Sequence, residues 1–198
     1  ADCGGCNGCS RCCHGMGNSI ILDPYDVYRM TTGMGKSMQE LLAASVELNV
    51  VDGVILPNLK MQGTEEACAY LDEEGRCSIH PYRPGICRLF PLGRYYENGG
   101  FSYFLQTGEC AKENRSKIKV SKWIDTPDLT RNQQFTLQWH DLLHAMEERL
   151  TGEDEGKQRE ENLLLLRLFY LLPYEGTIDF YTQFTERMEH WNGQNGQI

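Results

Sequence analysis

The residues in this sequence best equipped for chemistry are its nine cysteines, at positions 3, 6, 9, 12, 13, 68, 77, 87 and 110. Five crowd into Cys3-Gly-Gly-Cys6-Asn-Gly-Cys9-Ser-Arg-Cys12-Cys13, four are spread from Cys68 to Cys110, and residues 111–198 contain none. Two chemistries compete for such sulfurs. Disulfides are disfavoured, because an odd total leaves one thiol over and a chain of this size does not need staples to fold. Neighbours three apart in a tight loop also rarely reach the Cα separation a disulfide requires. Metal ligation fits better. A Cys-x2-Cys step lets two thiolates converge on one ion or cluster, and Gly4, Gly5 and Gly8 supply the backbone freedom such loops need.

Spacing also bears on which metal. The run Cys6-x2-Cys9-x2-Cys12 has the spacing of ferredoxin-type cluster loops, in which several thiolates come from one loop and one from afar. Zinc held by four thiolates would be structural and redox-silent, and eight ligands could make two such sites. The tight triplet favours an iron–sulfur cluster, with zinc as the alternative, while the later cysteines fit either metal. Adjacent Cys12 and Cys13 point in different directions in an extended backbone and are not expected to serve one small site in the same way: one binds metal while the other reaches a second ion, or both cap different corners of a cluster.

The order of these motifs resembles a known family. Cys6-Asn-Gly-Cys9-Ser-Arg-Cys12-Cys13 is similar to the CxxCxxCC signature of the YkgJ-type cysteine-cluster family, described as zinc- or iron-chelating. A second signature runs from Cys68-Ala-Tyr-Leu-Asp through Gly75-Arg-Cys77-Ser-Ile-His80 to Arg83-Pro84-Gly-Ile-Cys87-Arg88-Leu-Phe-Pro91, with a late match at Cys110. The resemblance covers roughly residues 6 to 112. It implies Cys6, Cys9, Cys12, Cys13, Cys68, Cys77, Cys87 and Cys110 as metal ligands and leaves Cys3 as a spare thiol or extra ligand. Flagellin lysine N-methylases that need an iron–sulfur cluster are distant relatives, so the resemblance implies that the family includes enzymes.

Other side chains could support such a centre. Arg83 and Arg88 flank Cys87; guanidinium groups there would offset thiolate charge and could hold a substrate carboxylate, or pair with Asp72, Glu73 or Glu74. His80, three residues after Cys77, has the spacing of a zinc ligand but is better read as orienting a thiolate; His14 after Cys13 is a weaker case of the same kind. His140 and His144 lie one helical turn apart without the Glu of a zinc protease, and are read as a partly exposed face. Thr32-Gly-Met-Gly-Lys-Ser37 lacks the first glycine of a phosphate loop and is read as a helix–helix turn.

Composition narrows the partners. With 40% hydrophobic and 24% charged residues the chain is ordinary globular protein. A net charge of −9 argues against nucleic acid, which needs clustered Lys and Arg, and leaves a basic protein or peptide as the comfortable partner. The most apolar stretch, Leu163 to Leu172, is broken by Arg167 and is too short to span a membrane. No basic segment followed by an apolar run opens the sequence, so a cytoplasmic location is expected.

The elements that must position these residues are mostly helical. Asp23-Pro24 predicts an N-cap and first helical position for a helix to about Thr31, and Ser37 caps a second over Met38 to Glu47. Val50 to Leu59 reads as a strand interrupted by Gly53 and Pro57, and Arg94 to Leu105 as a β-hairpin turning at Asn98-Gly99, its aromatics covering the cysteines. Thr126-Pro127-Asp128 starts a helix with the stripe Phe135, Trp139, Leu142, Met146 and Leu150, ended by Thr151-Gly152. Glu153 to Glu161 reads as a solvated loop or first turn, and Leu163 to Leu172 as buried. Thr177 is expected to cap a last helix with Ile178, Tyr181, Phe184, Met188 and Trp191 inward, followed by a loose tail from Asn192. The expected fold is α+β, mostly helical: a cysteine-rich metal-binding domain over 1–112 with a short β-hairpin, and a C-terminal helical extension over 113–198.

Two functions follow. One is a metalloenzyme acting on a protein or small molecule, a lysine N-methylase being one version, although no glycine-rich methyltransferase loop follows a strand. The other is a non-catalytic module, with structural zinc or a cluster used in electron transfer or sensing.

Overall fold

A computed structural model describes residues 9–110 and 117–195, so Cys3 and Cys6 lie outside the described residues. The architecture is α+β and mostly helical, as the patterning requires: seven α-helices and three two-stranded antiparallel sheets among the described residues. No helix among them is long and apolar enough to cross a membrane.

The first helix, α1 (Pro24–Met34), begins where Asp23-Pro24 places it. The Asp23 side chain accepts from Asp26 N, Asp26 accepts from Asp23 N, and Gly35 closes the helix in the left-handed conformation. Ser37 and Glu40 form the same reciprocal box at α2 (Met38–Ala44). The strand expected over 50–59 is instead a hairpin of β1 (Val46–Val51) and β2 (Val54–Leu59), with Val46 opposite Leu59. Asp52 and Gly53 both adopt positive φ, as a tight two-residue hairpin turn demands. Pro57 is tolerated in β2, and its carbonyl accepts from Leu22 N. Next come β3 (Met61–Gln62), β4 (Ala67–Cys68), a 3-10 turn at His80–Tyr82 and the short α3 (Gly85–Leu89). The hairpin β5 (Leu92–Glu97) and β6 (Gly100–Leu105) turns at Asn98-Gly99 as predicted.

After α4 (Val120–Ile124), the long α5 (Leu129–Leu150) buries the whole expected stripe, Phe135, Trp139, Leu142, Met146 and Leu150. The charged stretch from Glu155 is already helical: α6 (Glu155–Leu166) is capped by Asp154 and passes into a π-helical turn over Arg167–Leu171. Buried Arg187 caps that turn by donating to the carbonyls of Leu168, Leu172 and Pro173. Burial of 163–172 is incomplete, since Leu163 is 55% and Leu172 48% exposed. The last helix, α7 (Phe180–Asn195), starts later than Thr177: Asp179 accepts from Thr182 N, and Phe180 rather than Ile178 turns inward. The helix also runs through Asn192, which was expected to begin the tail.

One apolar core joins these parts. Leu22, Val27 and Met30 near and in α1, Leu56 and Leu59 of β2, and Phe135, Phe169, Phe184 and Trp191 from the C-terminal helices belong to the same cluster. Asn162 of α6 ties that half to the β1–β2 hairpin: its Oδ1 accepts from Ile55 N and its Nδ2 donates to Gly53 O.

Candidate metal centre

Three separate segments bring thiols to one place. The first is the 3-10 turn Arg11–Cys13, pinned to the body where Gly15 N donates to Glu66 O and His14 bridges Ala67. That contact sets Cys12 and Cys13 beside β4, whose last residue is Cys68. The second segment is β4 and the turn over 71–77 that follows it: Asp72 Oδ1 accepts from Glu74 N and Arg76 N, folding the chain back so that Cys77 bridges Leu71 and Ser78 N reaches Tyr70 O. The third is α3, which carries Cys87.

The result is a cavity of about 310 Å³ lined by Cys9, Cys12, Cys13, Cys68, Cys77 and Cys87. All six are half-buried free thiols, none in a disulfide. The rest of the lining is largely apolar, with Met16, Ile20 and Phe90 among it. Among the described residues, no group of three His, Cys, Asp or Glu side chains is gathered tightly enough to hold one metal ion. The six thiols line one shared cavity. Cys6 lies outside the described residues, and Cys110, which closes the described part of its segment, does not line the cavity. Cys12 and Cys13 do not diverge as an extended backbone would place them: they face the same cavity and hydrogen-bond to each other. In a 3-10 turn consecutive side chains diverge by about 120° rather than the roughly 180° of a strand, so both can reach one cavity.

Electrostatics reflect the crowding. The hydrogen bond from Cys13 brings the Cys12 thiol down to about 6, with help from Arg83 and His14, while donating that bond and being buried push Cys13 far up. Burial raises Cys68, Cys77 and most strongly Cys87. These are soft donors in a largely apolar pocket that disfavours bare thiolates.

The two flanking arginines part company. Arg83 lines the cavity and acts on Cys12 and Cys77, whereas Arg88 turns away and is buried. Arg88 donates from Nη1 to Arg83 O, lies 4.0 Å from Asp26 Oδ1 and sits over the Tyr25 ring, so its acid is Asp26 rather than Asp72, Glu73 or Glu74. Asp26 also accepts from Gly85 N at 2.6 Å. It thereby clamps α3, and Cys87 with it, onto α1. The sequence shows Asp26 only as the partner of an N-cap; nothing local marks its second task 59 residues away. His80 lines the cavity, whereas His14 Nδ1 is engaged by Ser10 O. His140 stacks on Tyr96, and His140 and His144 face Asp141 and Glu148. The β5–β6 aromatics do not cover the cavity of Cys9, Cys12, Cys13, Cys68, Cys77 and Cys87; none of the residues lining it comes from that hairpin.

A family model named CxxCxxCC, with the description "Putative zinc- or iron-chelating domain", matches residues 5–136. That is two thirds of the chain. The chain belongs to the CxxCxxCC family. No curated protein and no solved structure matches it. The family match takes in the cavity and all three thiol-bearing segments, and extends past them into the first part of α5.

Proposed function

We propose that this CxxCxxCC protein holds an iron–sulfur cluster in the thiol-lined cavity, with ligands drawn from Cys9, Cys12, Cys13, Cys68, Cys77 and Cys87 and, on the sequence pattern, Cys6 and Cys110. The observation that carries this reading is six thiols from three segments spaced around about 310 Å³. Four sulfurs on one zinc ion, each about 2.3 Å from it, would sit within about 4 Å of one another. A cluster of several irons and sulfides needs sulfurs set further apart around a larger volume. Thiolate donors suit both iron–sulfur and zinc chemistry, so it is the volume the six thiols line, together with the Cys6-x2-Cys9-x2-Cys12 spacing, that favours the cluster. When bound, such a cluster supplies one-electron transfer or an open iron site. The protein's part is to hold the thiols, to shield them with Met16, Ile20 and Phe90, and to set Arg83 beside them.

Anaerobic purification followed by iron, sulfide and zinc analysis and a visible spectrum tests this. Brown protein with iron and sulfide in comparable amounts is expected. Colourless protein with stoichiometric zinc and no sulfide overturns the cluster and returns the centre to structural zinc.

A further inference from the structure

A second cavity, of about 400 Å³, lies on the other side of the His80–Tyr82 turn and contains no cysteine. Its walls are aromatic. Tyr25 stacks with Tyr28 and with Tyr181, ring centres 6.2 and 5.8 Å apart, and meets Phe180 edge-on at 4.9 Å. Tyr82 completes the wall by lying on Gly33 of α1, where any Cβ would collide with its ring.

Two guanidinium groups line the same groove, and their situations differ. Arg131, 4.6 Å over the Tyr181 ring, is satisfied: it pairs with Asp179 at 2.7 Å and with Asp128 at 3.9 Å. Arg29, 5.9 Å over the Tyr25 ring, forms no ion pair among the described residues. Its Nη2 donates to the Pro81 carbonyl, and its Nη1 is buried with no hydrogen-bond partner. Asp26 and Asp125 act on it only at longer range, Arg88 repels it, and Asp26 is already engaged by Gly85 and Arg88. Arg29 is half-buried, but its Nη1 is buried beside aromatic faces with no partner, so the guanidinium is short of one planar acceptor.

We propose that this groove is a binding site for a flat aromatic carboxylate, the ring lying among the tyrosines and the carboxylate meeting Arg29. The volume suits a ligand of one or two rings. Asp128 and Asp179 also line the groove and outnumber Arg131, the one cation they pair with among the described residues, which disfavours a multiply charged phosphate over a single carboxylate. The site stands on observations separate from the thiol cavity and holds whichever metal, if any, that cavity takes.

Calorimetric titration of the purified full chain tests it, with 4-hydroxybenzoate as probe and phenol, acetate and phenyl phosphate as controls. Saturable binding of 4-hydroxybenzoate is expected at Kd on the order of 1 mM or below, at least about tenfold tighter than phenol or acetate. Arg29→Gln should weaken it about tenfold or more. Arg29→Lys, which keeps the charge and a donor for Pro81, should fall between, with melting curves showing both variants folded. Absence of saturable binding by the wild type, equal binding of phenol, tighter binding of phenyl phosphate, or wild-type affinity in both folded variants overturns the proposal.

Discussion

Asp26 offers the sharpest test of how the thiol segments are held. Its side chain is 2% exposed and meets the Gly85 N–H at 2.6 Å and buried Arg88 at 4.0 Å. Asp26→Asn keeps an acceptor for Gly85 but removes the charge that faces Arg88. Orphaning one partner of a buried ion pair costs about 3–5 kcal/mol. Here the separation is at the long limit, and burial already raises the Asp26 carboxyl above its ordinary range. A cost of about 2 kcal/mol is therefore expected, a fall in Tm of roughly 4–8 °C for a chain of this length. Asp26→Ala also strands the Gly85 N–H, adding about 1–2 kcal/mol. Because α3 then loses its clamp, metal affinity should fall by about 10–100-fold, the usual effect of removing a group that orients a ligand. Melting followed by circular dichroism, with chelator competition for the metal, reads both quantities. An Asp26→Ala protein within about 0.5 kcal/mol of wild type and with unchanged metal retention would mean that something other than α1 fixes Cys87.

Three further outcomes are expected. Cys77→Ser should lower metal per chain and melt earlier, because site formation and folding are coupled; a full metal complement at the wild-type midpoint would remove Cys77 from the donor set. Asn162→Ala, which strands Ile55 N and Gly53 O, should cost about 2–3 kcal/mol in urea unfolding, and a change below about 0.5 kcal/mol would deny that link any weight. Burial and the neighbouring Asp26 raise the Asp23 carboxyl to about 7. The folded chain thus keeps a proton that the unfolded chain gives up near its ordinary pKa of about 3.9. The resulting stability is complete below that value and is lost as pH rises through about 7. The melting midpoint should fall between pH 5.5 and pH 8, and fall less in Asp23→Asn; an identical slope in the variant would acquit Asp23.

Local chemistry made much of this molecule readable. Asp23-Pro24, Ser37 and Asn98-Gly99 each act within four residues, and each works as expected. The α5 stripe was legible because 22 residues of helical period leave no other pattern. Asp52-Gly53 carried the same turn chemistry as Asn98-Gly99, yet the apolar run around it masked two strands as one. At α7 two neighbouring apolar residues competed for the core, and the cap at Asp179 placed Phe180 inward and left Ile178 40% exposed. The cysteine pattern pointed to metal, but not to how the sulfurs stand around a space. Their arrangement depends on contacts such as Gly15 with Glu66 and Asp26 with Gly85, which no short stretch of sequence contains.

The 3-10 turn at His80–Tyr82 is a partition three residues thick. His80 belongs to the thiol chamber and Tyr82 to the tyrosine groove, and the intervening Pro81 is held by Arg29. A backbone rearrangement of this turn that lifts Tyr82 off Gly33 would also displace His80 and the start of the Arg83–Cys87 segment, so the two chambers share one wall.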